Sequence, residues 1–181
     1  MDEELLISSW RAGDRQACAE LFARYYDAIA RFFRNKVPGQ SDDLIQRTFL
    51  RCFEGIERLR DAAKFRSFLF AIAHNVLREH LRERVPDSLD LESQRAIDLD
   101  PTPSALLAER EEQRLLLLAL RHIPMAHQLV LELHYWEQMS AAEIAEVLDE
   151  PIGTIKTRLR RAKRLLEQAM LDVPRVPGSG S

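Results

Sequence analysis

Between Ser140 and Met170 the chain reads SAAEIAEVLDEPIGTIKTRLRRAKRLLEQAM, a pattern that leaves little room for anything but two helices joined by a tight turn. Ser140 with Glu143 three residues on has the form of a capping box: the hydroxyl accepts from a free backbone N–H while the carboxylate reaches back to the cap. Ile144, Ala145 and Leu148 follow as a short apolar stripe at helical spacing. Pro151 disfavours helical geometry at Glu150, which stops the first helix near Asp149. Gly153 is expected to relax the turn and Thr154 to cap the second helix. In that helix Ile155, Leu159, Ala162 and Leu166 share one face. Thr157, Arg160, Arg161 and Arg164 project opposite, flanked by Lys156, Arg158 and Lys163. No Asp or Glu occurs from Gly153 to Leu166, so these bases lack the i,i+4 acidic partners of an ordinary surface helix. The pattern is that of a helix-turn-helix, whose second helix enters the DNA major groove. Thr154, Lys156, Thr157 and Arg158 lie near its N-terminal end, where base edges are usually reached. The bases further along, Arg160, Arg161 and Arg164, suit contacts with the duplex, Arg being fit for bidentate contact with guanine or phosphate.

The net charge of −3 looks wrong for a DNA binder until it is divided. Residues 1–86 carry 15 basic and 13 acidic groups, residues 87–112 carry 2 and 8, and residues 113–181 carry 9 and 8. The acidity is concentrated in the middle, which suits two nucleic-acid-binding ends joined by an acidic connector. Almost every periodic segment is helical, without convincing strand alternation, so the expected fold class is all-α. No apolar run approaches the roughly eighteen residues of a membrane span, and the acidic start, MDEELLISSW, argues against a secretory signal. Cys18 and Cys52 read as small apolar core residues of a reduced, cytoplasmic protein. His122, His127 and His134 have no ligand spacing, so no metal and no cofactor is expected.

Along the chain, residues 4–35 read as two helices broken near Ala12-Gly13-Asp14, with Asp14 as a cap and Ala17, Leu21, Tyr25, Ala28 and Phe32 as the apolar stripe. Val37-Pro38-Gly39-Gln40 is a turn. Ser41 or Asp42 is expected to cap the next helix, with Leu44, Ile45, Phe49 and Phe53 inward. A loop from about Leu59 to Lys64 precedes a long helix, Phe65 to Arg84. Three prolines and several acids between Val85 and Pro103 read as a linker. Helical pattern returns at Ser104, breaks at Pro124 and resumes from about Ala126 to Trp136. Residues 173–181 read as a disordered tail, its Gly-Ser end resembling an expression scar.

The run FRSFLFAIAHN, Phe65 to Asn75, mixes aromatics, bases and a polar Asn on one helix, continued by Arg78, Arg82 and Arg84. Rings that stack on bases and cations that neutralise the backbone are what single-stranded DNA requires. Most of these aromatics are expected to be core; the others can line a pocket for an unstacked base.

With these segments in view, the chain strongly resembles the extracytoplasmic-function (ECF) type of bacterial sigma factor over nearly all of residues 10–170. Gln40-Ser41-Asp42-Asp43-Leu44-Ile45-Gln46-Arg47-Thr48-Phe49-Leu50 stands against the family's D-A-E-D-L-V-Q-E-T-F-L. FRSFLFAIAHN stands against F-R-x-W-L-x-x-I-A-x-N. Glu143 to Ala162 stands against E-I-A-x-x-L … P-x-G-T-V-K-S-R-L-x-R-A. The resemblance implies two small helical domains: a σ2-like bundle over residues 1–85 and a σ4-like helix-turn-helix domain over 105–172, joined by a flexible acidic linker over 86–104. It implies docking on the β′ clamp helices of core RNA polymerase through Asp42, Asp43, Leu44, Gln46, Arg47, Phe49 and Leu50, with the β flap as a further polymerase contact. It implies opening of the −10 element by Lys64, Phe65, Arg66, Phe68, Asn75, Arg78 and Arg82. Reading of the −35 duplex falls to Thr154, Lys156, Thr157, Arg158, Arg160, Arg161 and Arg164. The acidic linker would thread basic polymerase channels. Such a chain is not an enzyme; core polymerase does the chemistry. An anti-sigma protein is a frequent family partner.

The sequence departs from the family where it docks. Gln40 replaces an acid, Arg47 stands where Glu is common, and Phe68 replaces a frequent Trp. Like charge across an interface costs up to several kcal/mol. Either Asp42, Asp43 and apolar contacts suffice, or docking is conditional on a Ser/Thr kinase that phosphorylates Thr48 or Ser41 and restores the lost acidity. The rival function is a stand-alone helix-turn-helix regulator. It has no need of a docking helix and an aromatic–basic helix together.

Overall fold

The computed structural model describes residues 2–84, 90–99 and 110–173, and among these every regular element is a helix, without a β-strand. Helix α1 spans Glu3–Arg11 and α2 Arg15–Arg34. Glu3 and Glu4 in the first turn of α1 suit its positive end. Gly13, at φ 101°, makes the turn that only glycine adopts freely, and the Asp14 carboxylate then accepts from the N–H groups of Gln16 and Ala17. Leu6, Ile7 and Trp10 of α1 are buried against α2.

Helix α3, Ser41–Gly55, starts differently from expectation. The turn at Pro38–Gln40 is a 3-10 turn that runs into the helix, so Gln40 stands at the cap without a side-chain bond, and the Ser41 hydroxyl donates to the Pro38 carbonyl instead. The inward face also differs. Leu44, Thr48 and Cys52 are buried, Phe49 is only half-buried, and Phe53 is 51% exposed. At 3.6 residues per turn the line through positions 44, 48 and 52 stays on one face, whereas 53 has drifted off it. The two Phe side chains drew the expected stripe one position too far round.

Helix α4, Phe65–Arg84, runs as expected and supplies the centre of the first bundle, with Leu69, Phe70, Ala73, Leu77 and Leu81 buried. Cys18 and Cys52 are buried free thiols of this bundle, and burial pushes the Cys52 thiol up to about 12.

The second bundle contains α5, Ala96–Leu99; α6, Glu111–His122; α7, Met125–Tyr135; α8, Ala141–Leu148; and α9, Ile152–Asp172. The capping box at Ser140 and Glu143 forms in both directions. Helix α8 stops because Asp149 adopts the left-handed conformation, φ 54°, and Pro151, at φ −60° and ψ 141°, begins α9. Thr154 is therefore already inside the first turn of α9 and is not its cap, and Gly153 is an ordinary helical residue.

Part of the expected linker has a defined place. The carbonyls of Leu91 and Gln94 accept from the N–H groups of Ala126 (2.9 Å) and Met125 (2.7 Å). Those are first-turn donors that α7 cannot satisfy within itself. Ala96 is buried, and Arg121 donates to its carbonyl at 3.4 Å. The other linker residues, 85–89 and 100–109, the expected helix start at Ser104 and the tail beyond Val173 lie outside the described residues.

Candidate nucleic-acid and polymerase interfaces

On α9, Ile155 and Ala162 are buried and Thr154, Lys156, Thr157, Arg160, Arg161 and Arg164 are exposed. The apolar face seats the helix, which turns the base-rich face outward as the spacing predicts. Arg158 is the exception. Its side chain is 10% exposed and pairs with Glu150 (2.8 Å) and Glu92. Burial works against its charge, but Glu150 and Glu92 outweigh it and hold its pKa above the ordinary value. Arg158 is thus a structural clamp between α9, the preceding turn and the linker, and in this conformation it is not offered to DNA.

The aromatic–basic helix sorts itself by depth. Phe65 is fully buried, its ring meeting Tyr25 at 5.4 Å and Trp10 at 6.4 Å between centroids. It is core and not part of a DNA surface, since a ring in mid-bundle cannot meet a base. Phe68 is half-buried and lines an open cleft of about 450 Å³ between α3 and α4, with Ile72, Asn75, Arg78 and Arg82. Arg51, Glu54, Gly55, Arg58 and Glu79 complete it; the two arginines lie seven residues apart near the end of α3 and were missed because no motif contains them. Gly55 matters here: a Cβ there would stand 3.7 Å from the Phe68 ring, in ordinary contact, so the ring lies directly over the end of α3. Arg51 holds Glu79 by two hydrogen bonds, 2.9 and 2.7 Å, and hydrogen bonding from Arg51 lowers the Glu79 pKa. The cleft thus presents one aromatic ring, one amide and four guanidinium groups, with the carboxylates of Glu54 and Glu79 among them.

Lys64 and Arg66, at the start of α4, point elsewhere. Lys64 pairs with Glu146 (2.8 Å), and Arg66 pairs with Glu143 (3.0 Å) and donates to the Glu137 carbonyl (2.9 Å). All three partners belong to the second bundle. Beside them Lys36 forms an ion pair with Glu132 that is closed to solvent. The Lys36 ammonium also donates to the Phe32 carbonyl (2.7 Å) and lies 4.3 Å from the Phe32 ring centre. Gln128 donates to Glu132 (2.8 Å) and to the Asn35 carbonyl (3.4 Å). The two bundles therefore meet across a polar buried seam.

The other side of the first bundle is apolar. Phe22, Tyr26, Ile45, Phe49, Leu50 and Phe53 line a shallow groove of about 850 Å³. Tyr26 stacks on Phe49 at 6.3 Å with 9° between the rings. Phe22 and Tyr26 had no place in the sequence expectation, and Phe53, expected inward, instead forms part of this groove. Asp42, Asp43, Gln46 and Leu50 are exposed along the groove's helix, but Leu44 is fully buried and belongs to the core. Arg47 pairs with Asp43 at 3.2 Å, one turn away, so the unexpected base is met within its own helix. The expected phosphorylation sites do not fit this arrangement. Thr48 is fully buried with its hydroxyl donated to the Leu44 carbonyl (2.8 Å), and Ser41 is buried with its hydroxyl on Pro38. A kinase would have to unfold α3 to reach Thr48 and to open its first turn to reach Ser41.

Among the described residues no group of three metal-ligating side chains comes together, and no helix is long and apolar enough to cross a membrane.

Comparison with known proteins agrees with these two bundles. The family pattern described as Sigma-70 region 2 matches residues 21–85, and Sigma-70, region 4 matches residues 113–166. The chain is 26% identical to the ECF RNA polymerase sigma-E factor of Haemophilus influenzae over 92% of this chain and 94% of that protein. It is 24% identical to the factor of the same name from Escherichia coli strain K12, over 92% and 93%. Among solved structures, CnrH in complex with the cytosolic domain of CnrY superposes with a TM-score of 0.68 at 26% identity, covering 94% of this chain and 97% of that one. The sigma factor RpoE of Bartonella quintana, solved with the anti-sigma factor NepR, shares the fold at a TM-score of 0.68 and 20% identity, over 87% and 98%. With regions 2 and 4 in order, and a fold shared along nearly its whole length, the chain belongs to the sigma-70 family, as an RNA polymerase sigma factor of the ECF type.

Proposed function

We propose that this chain directs core RNA polymerase to a set of promoters, with its surfaces divided as follows. The exposed face of α9, Thr154, Lys156, Thr157, Arg160, Arg161 and Arg164, reads the −35 duplex. The α3–α4 cleft, with Phe68, Asn75, Arg78, Arg82 and the added Arg51 and Arg58, holds the unpaired −10 strand, while Lys64 and Arg66, at the start of α4, meet DNA outside the cleft. Removing a base from the stack costs a few kcal/mol, which ring stacking and backbone neutralisation in such a cleft can offset. The apolar groove of Tyr26, Phe49, Leu50 and Phe53, rimmed by Asp42, Asp43, Gln46 and Arg47, docks on the β′ clamp helices. A second protein is bound to the CnrH chain in its solved structure, and an anti-sigma partner of this kind is proposed here too. The protein would act in the cytoplasm, where polymerase is.

The observation that carries this reading is the pairing, in one chain, of a base-rich helix suited to a duplex with a cleft suited to a single strand. The test is to mix the purified, unmodified chain with bacterial core polymerase, measure binding and sequence transcripts from a promoter library. Start sites behind shared −35 and −10 elements are expected. Absence of core binding would overturn the assignment.

A further inference from the structure

The loop that joins α3 to α4, residues 56–64, is held at both ends by two adjacent residues of α1. Arg11 donates from one guanidinium nitrogen to the carbonyl of Ile56 (3.3 Å) and to that of Leu59. Both carbonyls lie where the chain leaves α3, at the negative end of the helix, where a cation is favourable. Trp10 packs its ring against Phe53 near the end of α3 (6.0 Å between centroids) and against Phe65 at the start of α4. Between these anchors the loop makes two short 3-10 turns, Ile56–Arg58 and Ala62–Lys64, and the Asp61 carboxylate accepts from the Ala63 N–H (3.0 Å) to begin the second. Arg58 of this loop and the Phe68 ring line both the α3–α4 cleft and a second hollow of about 440 Å³, which Leu59, Arg60 and Lys64 also line. Helix α1 ends before residue 21, where the match to region 2 begins, so this hold on the loop comes from outside the matched stretch.

We propose that Arg11 is a positioning residue for the −10 strand: from α1 it fixes the loop that carries Arg58, and so sets the geometry in which Arg58 stands beside the Phe68 ring. The proposal rests on the reading that the α3–α4 cleft holds that strand. Its physical basis is preorganisation. A guanidinium holds its N–H groups in one plane, so a single nitrogen meets two carbonyls three residues apart. The compact ammonium of a lysine, on its flexible stem, lacks that preset geometry. While Arg11 holds the carbonyls, the loop is ordered before DNA arrives. Without Arg11 the strand must order the loop as it binds, and that cost is subtracted from its affinity. Arg11 acts through the loop; contact with the strand is left to Arg58, Phe68 and Asn75. Its effect is confined to strand capture, because the bases of α9 and the groove of Tyr26, Phe49 and Leu50 lie on other elements.

The test uses the full chain, alone and assembled with core polymerase. Arg11→Ala and Arg11→Lys are compared with Arg24→Ala, which removes the same charge from an exposed position of α2. Hydrogen exchange of the free chain reports the order of the loop. A 2-aminopurine probe in the −10 segment of a promoter selected by the wild-type holoenzyme reports strand opening. Titrations with core polymerase and with a −35 duplex report the other two surfaces. Arg11→Ala is expected to speed exchange of the Leu59–Lys64 amides about tenfold while α2 and α4 keep their protection. It is expected to reduce opening about tenfold and to leave core and −35 affinity within about twofold. Arg11→Lys is expected to fall between wild type and Arg11→Ala, and Arg24→Ala to match wild type. Unchanged exchange in the loop overturns the proposal. So does an Arg11→Ala that opens the promoter as wild type does while Phe68→Ala and Arg58→Ala impair opening: the cleft reading would stand and the positioning role would not. Equal losses of opening, core binding and −35 binding mark general damage to the fold and also overturn it. If the wild type opens no promoter, or Phe68→Ala and Arg58→Ala change nothing, the cleft reading itself fails and takes the proposal with it. Should Arg11→Ala not fold, Arg11→Lys and Arg11→Gln, judged by opening relative to core binding, give the same comparison.

Discussion

Lys36 and Glu132, 96 positions apart, form an ion pair closed to solvent between the two bundles. Burial lowers the Lys36 pKa, while Glu132 acts to raise it. Losing one partner of a buried pair costs about 3–5 kcal/mol while the other stays buried. Here the survivor can return to water by separation of the bundles, so the loss is limited by the free energy of closure. Lys36→Met is therefore expected to split calorimetric unfolding into two transitions where the wild type shows one. A single transition at unchanged temperature would mean that the pair adds nothing to cohesion.

His74 gives the protein a pH dependence of known sign. Burial first, then the neighbouring Arg78, bring its pKa from 6.5 down to about 4. Between those values the unfolded chain binds the proton and the folded chain does not, so stability rises with pH through the window and is lost as pH falls from 6.5 towards 4. For this one group the loss by pH 4 is about 3 kcal/mol. Urea unfolding of wild type and His74→Leu at pH 7 and 4.5 checks it: the variant should lose less stability on acidification. Equal losses would show that His74 is protonated without consequence.

Arg158 and Arg161 are three residues apart and should respond differently. Arg161→Ala should weaken −35 duplex binding by roughly 1–3 kcal/mol if it contacts a base, with folding unchanged. Arg158→Ala should instead lower stability by about 1.5–3 kcal/mol, the worth of hydrogen bonds to charged partners. Promoter selection with each variant, beside thermal denaturation, separates the two roles.

Docking is expected to follow the groove and not a phosphate. Leu50 is 55% exposed at its edge, so Leu50→Asp should leave stability within about 0.5 kcal/mol while weakening core polymerase binding in a pull-down or titration. Thr48→Glu should do the reverse of a phosphomimetic activation. It buries an unpaired carboxylate in α3, costing about 3–5 kcal/mol, and urea unfolding would register that. A stable Thr48→Glu with improved core binding would restore the kinase hypothesis.

The helices were legible because their signals are local. The Asp14 cap, the Ser140–Glu143 box and Pro151 each act within a few residues. The outward bases of α9 were legible for the same reason. What sequence could not supply was depth. Phe65, Phe68 and Phe53 look alike in a motif, yet one is core, one lines a cleft and one is on the surface. Arg158 looked like its neighbours until Glu92, 66 positions away, was found beside it. The apolar groove proposed for docking needed Phe22 and Tyr26 from another helix, and the Lys36 seam joins residues that no periodicity relates.

The connector carries a consequence for how the chain divides. Pro124 starts α7 with Met125 and Ala126, and the backbone carbonyls of Gln94 and Leu91 cap those two residues. A fragment begun at residue 105 would leave both donors to solvent and would expose the site that Ala96 fills. A self-sufficient second bundle thus includes the segment from Asp90 to Ala96, and this part of the connector serves region 4's scaffold as much as a tether.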